Sequence, residues 1–285
     1  MKIYIPNISN TSIGGGFTFC YNLKKGLEGK VEFVTNWKES DIVFVFGITT
    51  IDKGEIKEAI GAGKKFVLRI DNIPRKSRNK RQSPAERLTE FGNQADVVVY
   101  QSEWAKGYAG YFIDNDNEVI INNGVDTSIF NTDYGGGDVS DENYLYINYN
   151  DNPNKRFDEA LYWFDIEWRK NHSAKLFIAG NVPRVYREHP EYNWDIPSKA
   201  NVEYVGIKET PEQVAELMKK CKYILYPSFA EAYPNTLLEA IACGLYPIYI
   251  NEVGGSKELL LNNLEKIKSI QDMSNEYLEL FEKLL

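Results

Sequence analysis

The chain has 285 residues, of which 43% are hydrophobic and 13% aromatic, and it carries a formal net charge of −8. That is enough apolar material for one large core or two medium ones, which excludes a disordered chain. The acidic balance argues against general affinity for nucleic acid or an anionic membrane surface, although Arg75, Lys76, Arg78, Lys80 and Arg81 form one local basic run.

The first ten residues, MKIYIPNISN, lack the apolar core of a secretory signal, and no apolar run approaches the ~20 residues of a membrane span; a cytoplasmic protein is expected. Ile3–Pro6 reads as the first strand. Gly14, Gly15 and Gly16 form a glycine loop before a helical stretch from Phe17 to Leu27. Further strands are predicted at Val31–Val34, Ile42–Phe46, Phe66–Ile70, Val97–Tyr100 and Val119–Ile121. Helical patterns lie between them at Gly54–Ala62, Pro84–Phe91 and Ser102–Gly110. Runs such as DIVFVF and DVVVY are apolar on both faces, as strands covered by helices on each side require.

The polar, glycine-rich stretch Asn131–Asn143 breaks this rhythm and is the linker candidate. The alternation then restarts with strands at Tyr144–Asn148, Leu176–Ala179, Val202–Val205, Tyr223–Tyr226 and Tyr246–Ile250. Helices are predicted at Asp158–Lys170, Pro211–Lys220, Asn235–Cys243, Ser256–Leu260 and Ser274–Leu284. The β–α alternation predicts an α/β chain of two Rossmann-like, doubly wound domains with a cleft between them. Their expected extents are 1–135 and 136–270, with a final helix in 271–285 that packs back on the first domain. Cys20, Cys221 and Cys243 have no metal-ligand spacing and suit buried, reduced thiols. His172 and His189 lie in polar stretches and read as surface residues.

Tyr226–Glu258 carries the chemistry. A strand ends in a loop holding Ser228, Glu231 and Pro234, and a helix opens at Asn235 and Thr236. The first-turn N–H groups near Thr236 and Leu237 form an anion site. Glu231 precedes it and Glu239 follows it, so a carboxylate flanks each side, as a diphosphate joined to two sugars requires.

Glu231 and Glu239, separated by seven residues, are followed by Ala240, Cys243-Gly244, Pro247 and Gly254-Gly255. This pattern resembles the E-x7-E motif of the retaining GT-B glycosyltransferases of family four. Asn122-Asn123-Gly124-Val125-Asp126 with Phe130 is similar to that family's interdomain stretch, and Gly14–Gly16 to its N-terminal loop. Asn154-Lys155-Arg156 is similar to its basic pair, with Asn150 where the family usually has Arg.

The resemblance implies transfer of a sugar from a nucleotide diphosphate donor, UDP ahead of GDP, with retention of configuration and without an essential metal or other cofactor. Glu231 would contact the donor sugar and Glu239 the ribose hydroxyls. Lys155, with Arg156 supplying the missing charge, would hold the diphosphate together with the amides of Thr236 and Leu237. Gly15 and Gly16 would border the donor. The family's N-domain His is absent, which leaves Arg69 and Asp71 as acceptor-side candidates, with Arg75 and Lys76 beyond them. The expected acceptor is a glycan or lipid-linked sugar. The run Arg75–Arg81 leaves open a modified base in viral DNA. A nucleotide-sugar epimerase and a non-catalytic binding module are the alternatives on the same architecture.

Overall fold

The computed structural model describes residues 1–6, 15–48, 50–71, 84–133, 142–149, 152–183, 197–261 and 267–285. The described strands form two parallel sheets. In the first, β1 (Lys2–Tyr4), β2 (Glu32–Val34), β3 (Ile42–Val45), β4 (Lys65–Arg69), β5 (Val97–Tyr100) and β6 (Glu118–Ile120) run in the order β2-β1-β3-β4-β5-β6. Helices α1 (Gly15–Gly26), α2 (Lys53–Gly61), α3 (Pro84–Gly92) and α4 (Glu103–Ala109) connect them.

The central strand shows why this region folds as it does. All four residues of β3 are buried. Val43 and Val45 enter one apolar cluster with Ile56, Leu88 and Phe91 from α2 and α3. Ile42 and Phe44 enter another with Phe19 and Leu23 of α1. Side chains alternate across a strand, so a run that is apolar at every position needs a helical layer on each face.

The second sheet contains β7 (Asn143–Asn148), β8 (Lys175–Gly180), β9 (Val202–Gly206), β10 (Tyr223–Leu225) and β11 (Tyr246–Ile248), in the order β11-β10-β7-β8-β9. Its helices are α5 (Phe157–Lys170), α6 (Pro211–Met218), α7 (Asn235–Ala242) and α8 (Gly255–Leu261). Phe157, Ala160 and Phe164 of α5 pack on Tyr144, Tyr146, Leu176 and Ile178 of the sheet.

A last helix, α9 (Ile270–Leu284), packs on α1. Tyr277 and Phe281 are fully buried, and each ring lies 5.5 Å from that of Phe44. Burial of each is worth roughly 2–3 kcal/mol. The approach depends on Gly26, where a Cβ would fall 2.1 Å from Ser274 Oγ.

By contacts, the first compact unit comprises Met1–Gly124, Glu231–Tyr233 and Lys268–Leu285, and the second Val125–Ala230 and Pro234–Ile267. The chain therefore changes unit at Gly124/Val125 rather than at 135/136. Val125 and Phe130 are buried, and Lys219 Nζ holds Asn131 Oδ1 at 3.0 Å, which joins this stretch to the second unit ahead of the polar segment.

Two element starts also differ from expectation. Gly15 and Gly16 are the first turn of α1, not a loop before it. Helix α9 begins a turn before Ser274, because Ser269 and Asp272 cap it reciprocally. Gly14, Asn150, His189, most of the predicted linker (134–141) and the basic run with Arg75 and Lys76 lie outside the described residues. All three cysteines are buried and none is in a disulfide among the described residues, and His172 is exposed. Among the described residues, no helix is long and apolar enough to cross a membrane.

Candidate functional site

In the first unit, polar residues collect where β4, β5 and β6 end. Arg69 is fully buried. Its guanidinium donates to Phe46 O at 3.2 Å, Asp71 Oδ1 at 3.2 Å and Asn123 Oδ1 at 2.9 Å, and it lies 3.6 Å from the centre of the Phe19 ring. Such a cation holds the fold together. Of the two acceptor-side candidates among the described residues, Arg69 is thus enclosed and Asp71 keeps solvent access, with 29% of its side chain exposed.

Gly16 explains why a glycine opens α1. A Cβ there would sit 3.0 Å from the Phe46 ring and 3.3 Å from Asp71 Oδ2. The glycine thus brings the helix start against Asp71, where a carboxylate complements the positive end of the helix dipole. At Gly15 a Cβ would meet nothing within 4 Å.

A network missed by sequence reasoning continues from Arg69. Asn123 Nδ2 donates to Gln101 Oε1 at 3.0 Å and to Tyr233 O at 2.9 Å. Gln101 Nε2 donates to Ile70 O at 2.8 Å, and Ser102 Oγ to Ala232 O at 2.6 Å. Asn123 and Ser102 thereby hold the backbone directly after Glu231, and Ala232 is buried in the first unit's core. The available signal was Gln101-Ser102 at the carboxyl end of an apolar parallel strand, where such sheets place ligand residues.

In the second unit, Lys155 closes a short 3-10 turn, Pro153–Lys155, capped by Asn152. Tyr146 donates its hydroxyl to Lys155 O at 3.1 Å. Phe229 N donates to Asn154 O at 2.8 Å, which ties this turn to the loop after β10. Arg156 pairs with Glu159 at 2.9 Å and covers the Phe229 ring at 4.9 Å. Its charge is thus partly committed to α5. Arg156 and Ala230 have φ of 50° and 55°, left-handed values that cost a side chain about 1 kcal/mol. They flank Lys155 and Glu231 respectively, so the strained positions lie beside the two residues that the sequence resemblance marks as catalytic candidates.

Helix α7 starts after Pro234 with no side-chain cap and no acidic residue in its first turn. Thr236 is half-buried and Leu237 fully buried, so the first-turn amides, not the leucine side chain, are what could meet a ligand. Glu239 follows on the same helix. The residue is half-buried, and desolvation by the surrounding protein pushes its pKa up to about 7. No hydrogen bond or ion pair to this carboxyl occurs among the described residues. Its negative charge adds to burial in raising the Tyr149 hydroxyl. Gly180 closes this end of the sheet. Its φ is +94°, and a Cβ would lie 1.9 Å from Asn148 O. Contacts group Glu231 with the first unit, and Lys155, Arg156, Thr236, Leu237 and Glu239 with the second.

Residues 137–285, just over half of the chain, match the family model described as glycosyl transferases group 1. Over 112 residues the chain is 30% identical to the phosphatidylinositol N-acetylglucosaminyltransferase gpi3 subunit of Schizosaccharomyces pombe; this match spans 34% of the chain and only 24% of that protein. Among solved structures, HepE of Anabaena in complex with UDP-glucose superposes with a TM-score of 0.74 at 13% identity, covering 99% of this chain and 90% of that one. Sucrose-phosphate synthase of Thermosynechococcus elongatus gives 0.70 at 11% identity, covering 100% and 96%. At these identities the likeness is one of fold, the two-domain GT-B arrangement of parallel α/β units. The chain belongs to the glycosyl transferases group 1 family.

Proposed function

We propose that this protein transfers a sugar from a UDP-sugar to a glycan or lipid-linked sugar with retention of anomeric configuration and without a metal. The observation that carries the reading is Glu239, a desolvated carboxyl lacking a described partner, one turn into a helix whose start has no side-chain cap. A buried acceptor group of this kind is costly unless a ligand satisfies it. Ribose hydroxyls do so, and the uncapped turn at Thr236 and Leu237 suits the attached diphosphate. UDP-glucose is the ligand of the HepE structure, which shares this fold.

In this reading the bond between the anomeric carbon and the diphosphate oxygen breaks, and negative charge grows on the leaving group. Lys155, assisted by Arg156, and the α7 amides stabilise that charge from fixed positions. Glu231 holds the donor sugar. The acceptor hydroxyl attacks from the face the diphosphate leaves, and its proton passes to the departing phosphate oxygen. Asp71 is the acceptor-side candidate.

A thermal-shift screen with UDP, GDP, ADP and their sugars identifies the donor, because a bound ligand raises the melting point by mass action. The largest rise is expected with UDP. Glu231→Ala is then expected to lower turnover on that donor about 100-fold, with the product's anomeric coupling, read by NMR, matching the donor's. Chelation of divalent metal is expected to leave the rate unchanged. Full turnover by Glu231→Ala would end the assignment.

A further inference from the structure

The second unit carries a groove that the transfer reading does not use. It lies on the α5 face of the sheet and has a volume of about 690 Å³. Its walls include Glu142, Tyr223 and Tyr249, with Glu167, Lys170 and Asn171 from the carboxyl end of α5 and its cap. Lys155 precedes the opposite end of that 14-residue helix, so about 20 Å of helix separates the groove from the proposed diphosphate site.

Two aromatic arrays frame it. Tyr144, Tyr223 and Tyr246 are register partners on adjacent parallel strands and therefore share one face. The Tyr144 and Tyr223 rings stack at 4.9 Å, and Tyr246 extends the row at 6.3 Å. Burial falls along the row from 3% exposure at Tyr144 to 60% at Tyr246 on the edge strand. On the other side Tyr249 stacks on Trp163 at 4.3 Å. Tyr249 has φ 54°, a third left-handed non-glycine residue, so the backbone is strained where this ring is presented.

Polar groups sit around these rings. Glu167 accepts from Tyr249 and from Lys170 Nζ at 2.7 Å; Glu142 accepts from Asn171 Nδ2 at 3.0 Å. Burial opposes the Glu167 charge, but the bonds from Lys170 and Tyr249 outweigh it and hold the carboxyl below its ordinary pKa. A metal is a poor fit, because both carboxylates already have donors. A phosphorylated ligand is disfavoured because each ammonium already has a carboxylate, Lys170 with Glu167 at 2.7 Å and Lys222 with Glu142 at 3.9 Å, which leaves no surplus positive charge. A purely apolar ligand would strand the polar rim. What remains is a molecule with an apolar face and neutral hydroxyls at its edge.

We infer that this groove binds a neutral oligosaccharide, one ring packed against Tyr223 and Tyr249 and its hydroxyls engaged by Glu142, Lys170 and Asn171. Aromatic side chains supply an apolar wall for the ring carbons, while carboxylates, amide and ammonium exchange hydrogen bonds with sugar hydroxyls. The volume falls in the range of small-molecule sites. This site is independent of the transfer reading: it would hold glycan even if the donor assignment failed.

Maltotriose, cellotriose and chitotriose are titrated onto the full chain and followed by saturation-transfer NMR, with and without excess UDP. At least one trisaccharide is expected to bind, unaffected by UDP, with affinity falling about tenfold or more in Tyr223→Ala and in Lys170→Ala. Lys170 is largely exposed, so its variant carries the test if Tyr223→Ala fails to fold. The inference is overturned if none of the three binds, if UDP displaces the bound sugar, or if the folded variants bind as the parent does.

Discussion

Arg69 and Glu239 are both charged residues set among apolar neighbours, and the protein treats them in opposite ways. Arg69 has three hydrogen-bond acceptors and an aromatic face. Glu239 has no described partner, and its pKa rises to about 7. A buried charge whose two terminal nitrogens are bonded, with Nε alone unsatisfied, belongs to the architecture. One left to bear desolvation alone is the kind of group that clusters at functional sites. The difference separates the structural part of the molecule from the proposed chemical part more sharply than residue type does.

The comparison breaks first at Arg69. Arg69→Leu leaves Asn123 Oδ1 and Phe46 O without their buried donor, and a loss of about 4 kcal/mol is expected in denaturant unfolding. A loss under 1 kcal/mol would show that the guanidinium is not an organising group.

Next is Glu239→Gln. The folded pKa of about 7 lies above the ordinary 4.5. Between these values the folded state binds a proton that the unfolded state does not, so stability falls as pH rises through that window. The full penalty is present above pH 7. Glu239→Gln removes it, so the variant is expected to be more stable by about 2 kcal/mol at pH 8 and equal to the parent near pH 4. The same change should weaken UDP binding about tenfold. A variant that is destabilised at pH 8 would reverse the contrast with Arg69.

Asp71→Asn sharpens the picture with a smaller effect. It keeps the shape beside Gly16 but removes the charge 3.2 Å from Arg69, at a cost of about 1 kcal/mol. A larger effect on turnover than on stability would mark Asp71 as acting on the acceptor. The smallest change is Tyr277→Phe. The buried hydroxyl makes no well-formed hydrogen bond, although the Arg69 guanidinium lies close enough to act on it, so its removal should alter the unfolding free energy by about 1 kcal/mol or less.

The parallel α/β architecture was legible because Ile42–Val45 and Val97–Tyr100 are apolar on both faces, a pattern with few other uses. The start of α7 was legible from Pro234 followed by Asn235 and an apolar run. Glu239 was singled out through its spacing from Glu231. The burial of Arg69 was not legible because its environment comes from Phe19, Phe46 and Asn123, which no local periodicity connects to it. The 3-10 turns at Trp37–Glu39 and Pro153–Lys155 rest on single Asn caps, Asn36 and Asn152, which leave no repeating pattern. The first turn of α9 was readable from Ser269 and Asp272 but lay ahead of the apolar stripe that drew attention to Tyr277. The Tyr144–Tyr223–Tyr246 row exists only once strand order is known.

The docking of α9 on α1 sets an order for biogenesis. Domains emerging from the ribosome usually fold in the order in which they are made. Here Phe19 and Phe44 have no cover from Tyr277 and Phe281 until a helix encoded beyond the entire second unit has been synthesised. The earlier-made half must stay unfinished while the later-made half completes itself, with a greasy surface that nascent-chain chaperones would be expected to shield.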